Sequence, residues 1–342
     1  MNELCDLATK SGPERPAKEF VFLLTPLFSM LAFAAAIEPL RVANRMTRRE
    51  VYKWRLVSDG NRPVECSNGT VIQVDAGLTD VLRGSSIVVC SGLELEQAAT
   101  RTVVTWLRKQ SRLGAEIGAV CTGADILARA GLLDGKRCAI HWENHAAFAE
   151  TYPDIDLSNL IYCVEDDVFT CAGGTASADM MLHLIARDQG NDLGSLIADG
   201  LIHTHVRSES NEQRLSVPAR IGVRHPKLVT VIQTMEQSTE EPISPSELAK
   251  QVNMSTRQLE RLFRRYLDRS PKRYYMELRL EKARNLLLQT NMSVINVALA
   301  CGFTSPSHFS KCYRAHYNRT PYRERGGPTD GVKPKPETPS MV

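Results

Sequence analysis

A chain of 342 residues exceeds what one hydrophobic core usually serves, so two domains are expected. Its 43% hydrophobic and 24% charged residues are those of an ordinary soluble globular protein, and a net charge of +3 names no partner until its distribution is read. Nine cysteines, an odd number with no C-x-x-C pair, exclude a disulfide framework and a zinc ribbon and fit a reducing cytoplasm.

In chain order, residues 1–18 read as a disordered start. The run "FVFLLTPLFSMLAFAAAI" (Phe20 to Ile37) approaches the length of a membrane span, but Thr25-Pro26 and Ser29 break it and acids flank it. It reads instead as a strand, a loop and a helix, Met30–Ala43, and no membrane partner is expected. Further strands are expected at Trp54–Ser58, Ile87–Ser91, Glu116–Val120, Arg137–Ile140 and Phe169–Cys171. Helices are expected at Glu94–Gln110, Ala124–Ala130, His145–Thr151 and Ser177–Gln189. Such alternation predicts an α/β domain over residues 19–205, a parallel sheet with helices on both faces. Ligands of such sheets bind beyond the strand carboxyl ends. Those loops are Pro26–Ser29, Ser91-Gly92, Cys121-Thr122, His141–Glu143 and Gly173–Thr175.

Within "IGAVCTGADILARAGLL" (Ile117 to Leu133), Cys121 stands where a buried strand meets a helix. Three roles are open to its thiol: nucleophile, ligand-pocket wall, or small buried hydrophobe. In "HWENH", His141 and His145 are four apart, but Trp142 stands where a zinc-protease motif needs Glu. His203 and His205 have no third ligand nearby in sequence. No metal and no cofactor are expected.

"VRSESNEQRLSVPARIGVRHP" (residues 206–226) is polar, carries two prolines and reads as a linker. From 227 to 325 only helical patterns occur, and the Pro- and Gly-rich tail, 326–342, reads as disordered. This all-α domain repeats itself. Ser244, Leu248, Ala249 and Met254 match Ser293, Val297, Ala298 and Phe303 at an offset of 49; Leu259, Phe263 and Pro271 match Phe309, Tyr313 and Pro321 at an offset of 50. Each copy has the parts of a helix-turn-helix. A small residue (Ala249, Ala298) permits close helix approach, Asn253 or Gly302 suits a left-handed turn, and Ser255 or Ser305 caps the second helix. The exposed side of the first such helix is Arg257, Glu260, Arg261, Arg264 and Arg265; of the second, Ser307, Ser310, Lys311 and Arg314. From Arg257 to Arg284 there are ten Lys or Arg against four Asp or Glu, the electrostatic footprint of a nucleic-acid binder.

The stretch from "ISPSELAKQVNMSTRQLERLFRRYLDRSP" (Ile243–Pro271) through "VALACGFTSPSHFSKCYRAHYNRTPYRER" resembles the DNA-binding domain of the AraC/XylS transcription regulators over roughly one hundred residues. That resemblance implies two recognition helices entering successive major grooves of promoter DNA, about 34 Å apart. It makes Arg257, Glu260, Arg261, Ser307, Ser310 and Lys311 base-facing, and Arg264, Arg265 and Arg314 phosphate contacts. Pro306, at the start of the second recognition helix, offers no hydrogen-bonding side chain there.

The first half resembles the class I glutamine-amidotransferase-like superfamily, which includes intracellular proteases and isonitrile hydratases. The resemblance lies in "AAAIEPLRVAN", "IGAVCTGADILARAGLLDGKR", "AIHWE" and "TCAGGTASADMMLHLI". It implies a flavodoxin-like fold with Cys121 in a strained elbow and Ser91-Gly92 at the place of an oxyanion hole. Thr122, however, follows the cysteine where many catalytic relatives carry histidine, and Glu38 lies several residues beyond the supporting carboxylate of relatives, nearer to which stands Ala35. The expectation is therefore a regulator rather than an enzyme. Fusion of these two domains resembles regulators that sense glycine betaine, carnitine or other nitrogen compounds. On that resemblance the pocket comprises Phe28, Ser91, Gly92, Cys121, Thr122, His141, Trp142 and Glu143. Phe28, His141 and Trp142 would supply aromatic faces for a cation and Glu143 its countercharge. A small-molecule effector, a homodimer through the first domain and, for an activator, RNA polymerase are the further expected partners.

Overall fold

The computed structural model describes residues 16–214, 217–223 and 225–325. Both terminal segments expected to be disordered lie, apart from residues 16–18, outside those residues. The chain divides into two compact units, the first ending at Arg214.

The first unit is built on a six-stranded sheet. Strands β1 (Lys18–Leu24), β2 (Tyr52–Val57), β5 (Ser86–Cys90), β6 (Glu116–Val120), β9 (Tyr162–Val164) and β10 (Val168–Cys171) lie in the order β2-β1-β5-β6-β10-β9. All neighbours are parallel except β9, which pairs antiparallel with β10 at the edge. Short pairs β3–β4 (Val64–Glu65, Val71–Ile72) and β7–β8 (Arg137–Ala139, Asp156–Ser158) stand apart from it.

The apolar runs of the central strands split between two cores, because successive side chains point to opposite faces. Phe20, Phe22, Leu24, Val88, Cys90 and Val120 face one core, with α1 (Met30–Thr47), α6 (Ala176–Gln189) and α7 (Asn191–Gly200). Val21, Leu23, Ile87, Val89, Ile117 and Ala119 face the other, with α3 (Arg101–Arg112) and α4 (Gly123–Arg129). The flavodoxin-like expectation holds. Every expected strand forms, but Arg137–Ala139 leaves the main sheet for the β7–β8 pair. Its Ala139, registered with Ser158 in that pair, donates its amide to the Thr170 hydroxyl of β10 at 2.9 Å. The helix expected over Glu94–Gln110 is two: α2 (Leu95–Ala98) stops, and Thr100 caps α3 by accepting from the Val103 amide. Helix α5 (His145–Thr151) has the expected bounds.

The stretch expected as a linker is largely taken up by the two units. Residues 207–213 are fastened to the first: the Arg207 guanidinium and amide both reach Asp179, the Ile161 amide donates to the Asn211 carbonyl, and the Gln213 amide donates to the Asn159 carbonyl. Helix α8 (Val217–Ile221) buries Val217 in the core of the second.

That second unit is wholly helical, with α9 (Pro226–Gln237), α10 (Pro245–Gln251), α11 (Thr256–Leu267), α12 (Pro271–Gln289), α13 (Val294–Ala300), α14 (Pro306–Tyr317) and α15 (Pro321–Glu324). Four of these begin Ser-Pro or Thr-Pro, the hydroxyl capping and the proline fixing the first turn. Ser244 and Ser255 complete capping boxes with Glu247 and Gln258.

Candidate ligand site and nucleic-acid interface

At the carboxyl ends of β5, β6 and β10 the backbone closes tightly around Cys121. This residue is held at φ +59°, a left-handed conformation that costs a non-glycine residue about 1–3 kcal/mol. Two glycines make the turn possible. A Cβ on Gly123 would lie 2.5 Å from the Val89 carbonyl, and one on Gly173 would lie 2.8 Å from Cβ of Cys121. The Cys121 amide donates to the Cys171 carbonyl, and the Thr122 hydroxyl donates to the Gly92 carbonyl at 2.7 Å. Gly92 in turn bridges to Phe28, and Ser29 donates its amide to Ser91. Four of the five expected loops thus interlock.

The fifth loop carries the charge. His141 Nδ1 lies 3.8 Å from the Glu143 carboxylate, and its ring is tilted against Trp142 with centroids 5.8 Å apart. Burial holds the His141 imidazole below its ordinary range despite Glu143. Burial, reinforced by the field of Glu143, also pushes the Cys121 thiol up to about 11. A nucleophilic cysteine needs the reverse. Glu38, the one carboxylate the sequence offered as support, is engaged by Arg41 at 2.6 Å. The elbow therefore has the backbone of a reactive site without its ionisation. Because the thiol is neutral below about 11, alkylation of Cys121 by iodoacetamide should rise about tenfold per pH unit from 7 to 9.5 with no plateau, measured against Cys121→Ala. A plateau near neutrality would mark a stabilised thiolate.

The Phe28 ring is wholly buried and edge-on to Phe33 at 5.7 Å, so it belongs to the core and shows no open aromatic face. Ser91 is also fully buried, yet its hydroxyl has no partner among the described residues. Such an orphan is costly unless a water or ligand completes it.

In the second unit both helix-turn-helix copies take the expected form. Asn253 and Gly302 turn left-handed, at φ +52° and +70°. Ala249 and Ala298 are buried where the helices meet, and Leu259, Phe263, Phe309 and Tyr313 face inward. Arg257, Glu260, Arg261, Arg264 and Arg265 are exposed along α11; Ser307, Lys311 and Arg314 are exposed along α14, with Ser310 half-buried.

Several contributors carry no sequence signal of their own. Asp179 is fully buried and meets His203 Nε2 at 2.8 Å and the Arg207 guanidinium at 2.6 and 2.9 Å. Gln213 and Arg214 lie on the "HWENH" loop. Arg279 of α12 donates to the Cys301 and Gly302 carbonyls and covers the Phe303 ring at 4.2 Å, clamping the second turn. These partners are more than twenty residues apart in sequence, which no local pattern reveals. Among the described residues, no group of three or more His, Cys, Asp or Glu is placed to hold a metal, and no helix is long and apolar enough to cross a membrane.

Residues 248–326 match a helix-turn-helix domain family, and residues 27–187 the DJ-1/PfpI family. The HTH-type transcriptional regulator GbdR of Pseudomonas aeruginosa is 46% identical over 306 residues, covering 90% of this chain and 83% of the relative. The regulator CdhR of the same species is 44% identical over 309 residues, covering 90% and 92%. A THiJ/PfpI family protein from Pseudomonas syringae shares the fold of the first unit at a TM-score of 0.50 and 16% identity, over 68% of this chain and 95% of that one. GbdR and CdhR carry the names of regulators, not of enzymes. With a DJ-1/PfpI fold ahead of a duplicated helix-turn-helix, the chain belongs to the AraC-type transcriptional regulators.

Proposed function

We propose that this protein is a cytoplasmic activator of transcription in which residues 19–205 bind a small nitrogen-containing effector and residues 227–325 read promoter DNA. The observation that carries the reading is the joining, in one chain, of an unreactive cysteine elbow to two exposed, capped recognition helices. Supporting the reading are the orphan Ser91 hydroxyl beside the elbow, the Glu143 carboxylate whose field reaches Cys121, and the half-buried His141 and Trp142 rings on the loop of Glu143. Aromatic faces beside an acid favour a cationic group, a quaternary amine or an amino acid. The effector acts only through its differential affinity for two arrangements of the protein. A homodimer through the first domain and contact with RNA polymerase complete the proposal.

A thermal-shift panel of choline, glycine betaine, carnitine, sarcosine and amino acids on the full chain tests the effector. A ligand at one hundred times its dissociation constant adds about 2.7 kcal/mol of stability, and the shift should survive in Cys121→Ala. Silence across the panel would remove the effector class; a shift lost only in Cys121→Ala would return chemistry to the thiol.

The two kinds of helix contact are separable on DNA. Arg261→Ala should cost about 1–3 kcal/mol against the preferred sequence and relax choice at one base pair. Arg264→Ala should weaken all sequences alike and reduce the slope of log affinity against log salt by about one. Exchange of the two behaviours in binding isotherms would reverse the assignment.

A further inference from the structure

Arg214, the last residue of the first unit, sets its guanidinium 4.4 Å from the centre of the Trp142 ring. No carboxylate among the described residues pairs with it. Its neighbour Gln213 is pinned to the same loop. The Gln213 side-chain amide donates to the Ile140 and Leu160 carbonyls at 2.9 Å, lies 3.2 Å from His145 Nε2, and its backbone amide donates to Asn159. Two consecutive residues therefore grip the His141–His145 segment at its ends and at its indole, just before the chain passes into the second unit. Gln213 Oε1 is left buried without a partner among the described residues, so this grip is an incomplete one.

A guanidinium on an indole face satisfies the same ring quadrupole that would attract a quaternary ammonium. One region of the ring cannot hold both cations. We propose that Arg214 is an internal surrogate for the cationic effector: effector and the connecting segment compete for the face of Trp142, so that binding releases Arg214 and departure fastens it again. This deepens, and rests on, the effector reading given above. It supplies the differential interaction that effector control requires, because the fastened arrangement loses its cation contact when ligand arrives. Glu143, exposed next to Trp142 in sequence and without a bond to Arg214, remains available to the incoming charge.

Calorimetric titration of choline, glycine betaine and carnitine into the full chain tests the competition, using wild type, Arg214→Ala and Trp142→Ala. Removing the internal competitor should tighten the binding of at least one probe by about two- to fivefold, the worth of an exposed cation–π contact. Trp142→Ala should lose that binding. Equal affinity in wild type and Arg214→Ala overturns the surrogate while leaving the effector reading intact; no binding of any probe to either overturns both. A second measurement needs no ligand. Trypsin should cut after Arg214 faster in Trp142→Ala than in wild type, at unchanged helix content, and an unchanged rate there overturns the fastening itself.

Discussion

Replacing Asp179 by alanine should destabilise the first unit by about 3–5 kcal/mol, the cost of breaking a buried ion pair from one side. The carboxylate has no exposure, and three groups converge on it: His203 Nε2, the Arg207 guanidinium through two nitrogens, and the Arg207 amide at 2.8 Å. Alanine leaves the Arg207 amide without its acceptor and the partly buried His203 and Arg207 side chains without their countercharge. For a unit of this size each kcal/mol is worth about 2–4 °C, so a loss near 10 °C in Tm is expected by calorimetry. Asp179→Asn keeps the shape and one acceptor and should lose less. The clasp also ties the chain leaving α7 to the helix whose amino end adjoins Gly173, the residue packed on Cys121. A fall of less than 2 °C in Asp179→Ala would mean that the buried charge is not the anchor described.

Gly302→Ala should disable the second helix-turn-helix while sparing the first. The residue has φ +70°, and a Cβ there would meet the Glu240 carbonyl at 2.6 Å and the Pro242 ring at 2.7 Å. Backbone cannot give way as a flexible side chain can. A left-handed alanine alone costs about 1–3 kcal/mol. The displaced turn would also lose Arg279, which holds the Cys301 and Gly302 carbonyls at 2.7 and 2.6 Å. Asn253, the counterpart in the first copy, tolerates its left-handed turn, and Asn253→Gly should be nearly silent. The pair can be compared by Tm and by DNA affinity. Gly302→Ala should lose more than tenfold in affinity, and a loss no greater than that of Asn253→Gly would contradict the close packing at this turn.

What local pattern could carry, the sequence carried. Glu116–Val120 and His145–Thr151 read correctly to the residue because each apolar run is bounded by a glycine, a cap or a change of period. The duplicated helix-turn-helix was legible because two independent copies agree on the small residue, the turn and the inward aromatics. Short elements failed that test. β8 and β9 have three residues each, too few for alternation to show, and β9 is antiparallel to β10 because the turn Glu165–Asp167 between them is too short for a parallel crossover. Helix α7 begins straight after Gly190, where a polar start, Asn191-Asp192, masks Leu193, Ile197 and Ala198. In the candidate site the loops converge as strand ends require. An aromatic in a loop looks the same in sequence whether it faces a pocket or, as Phe28 does, packs on Phe33. The grips of Arg207, Gln213 and Arg214 were invisible because polar residues in a Ser- and Glu-rich stretch look solvated until their distant partners are placed.

With two recognition helices on one chain, the protein should read two adjacent stretches of duplex. Selection of sequences from a random duplex pool by the full-length protein measures this directly. It should enrich two short motifs with centres about ten base pairs apart, one helical turn. A single motif, or enrichment without sequence preference, would contradict it.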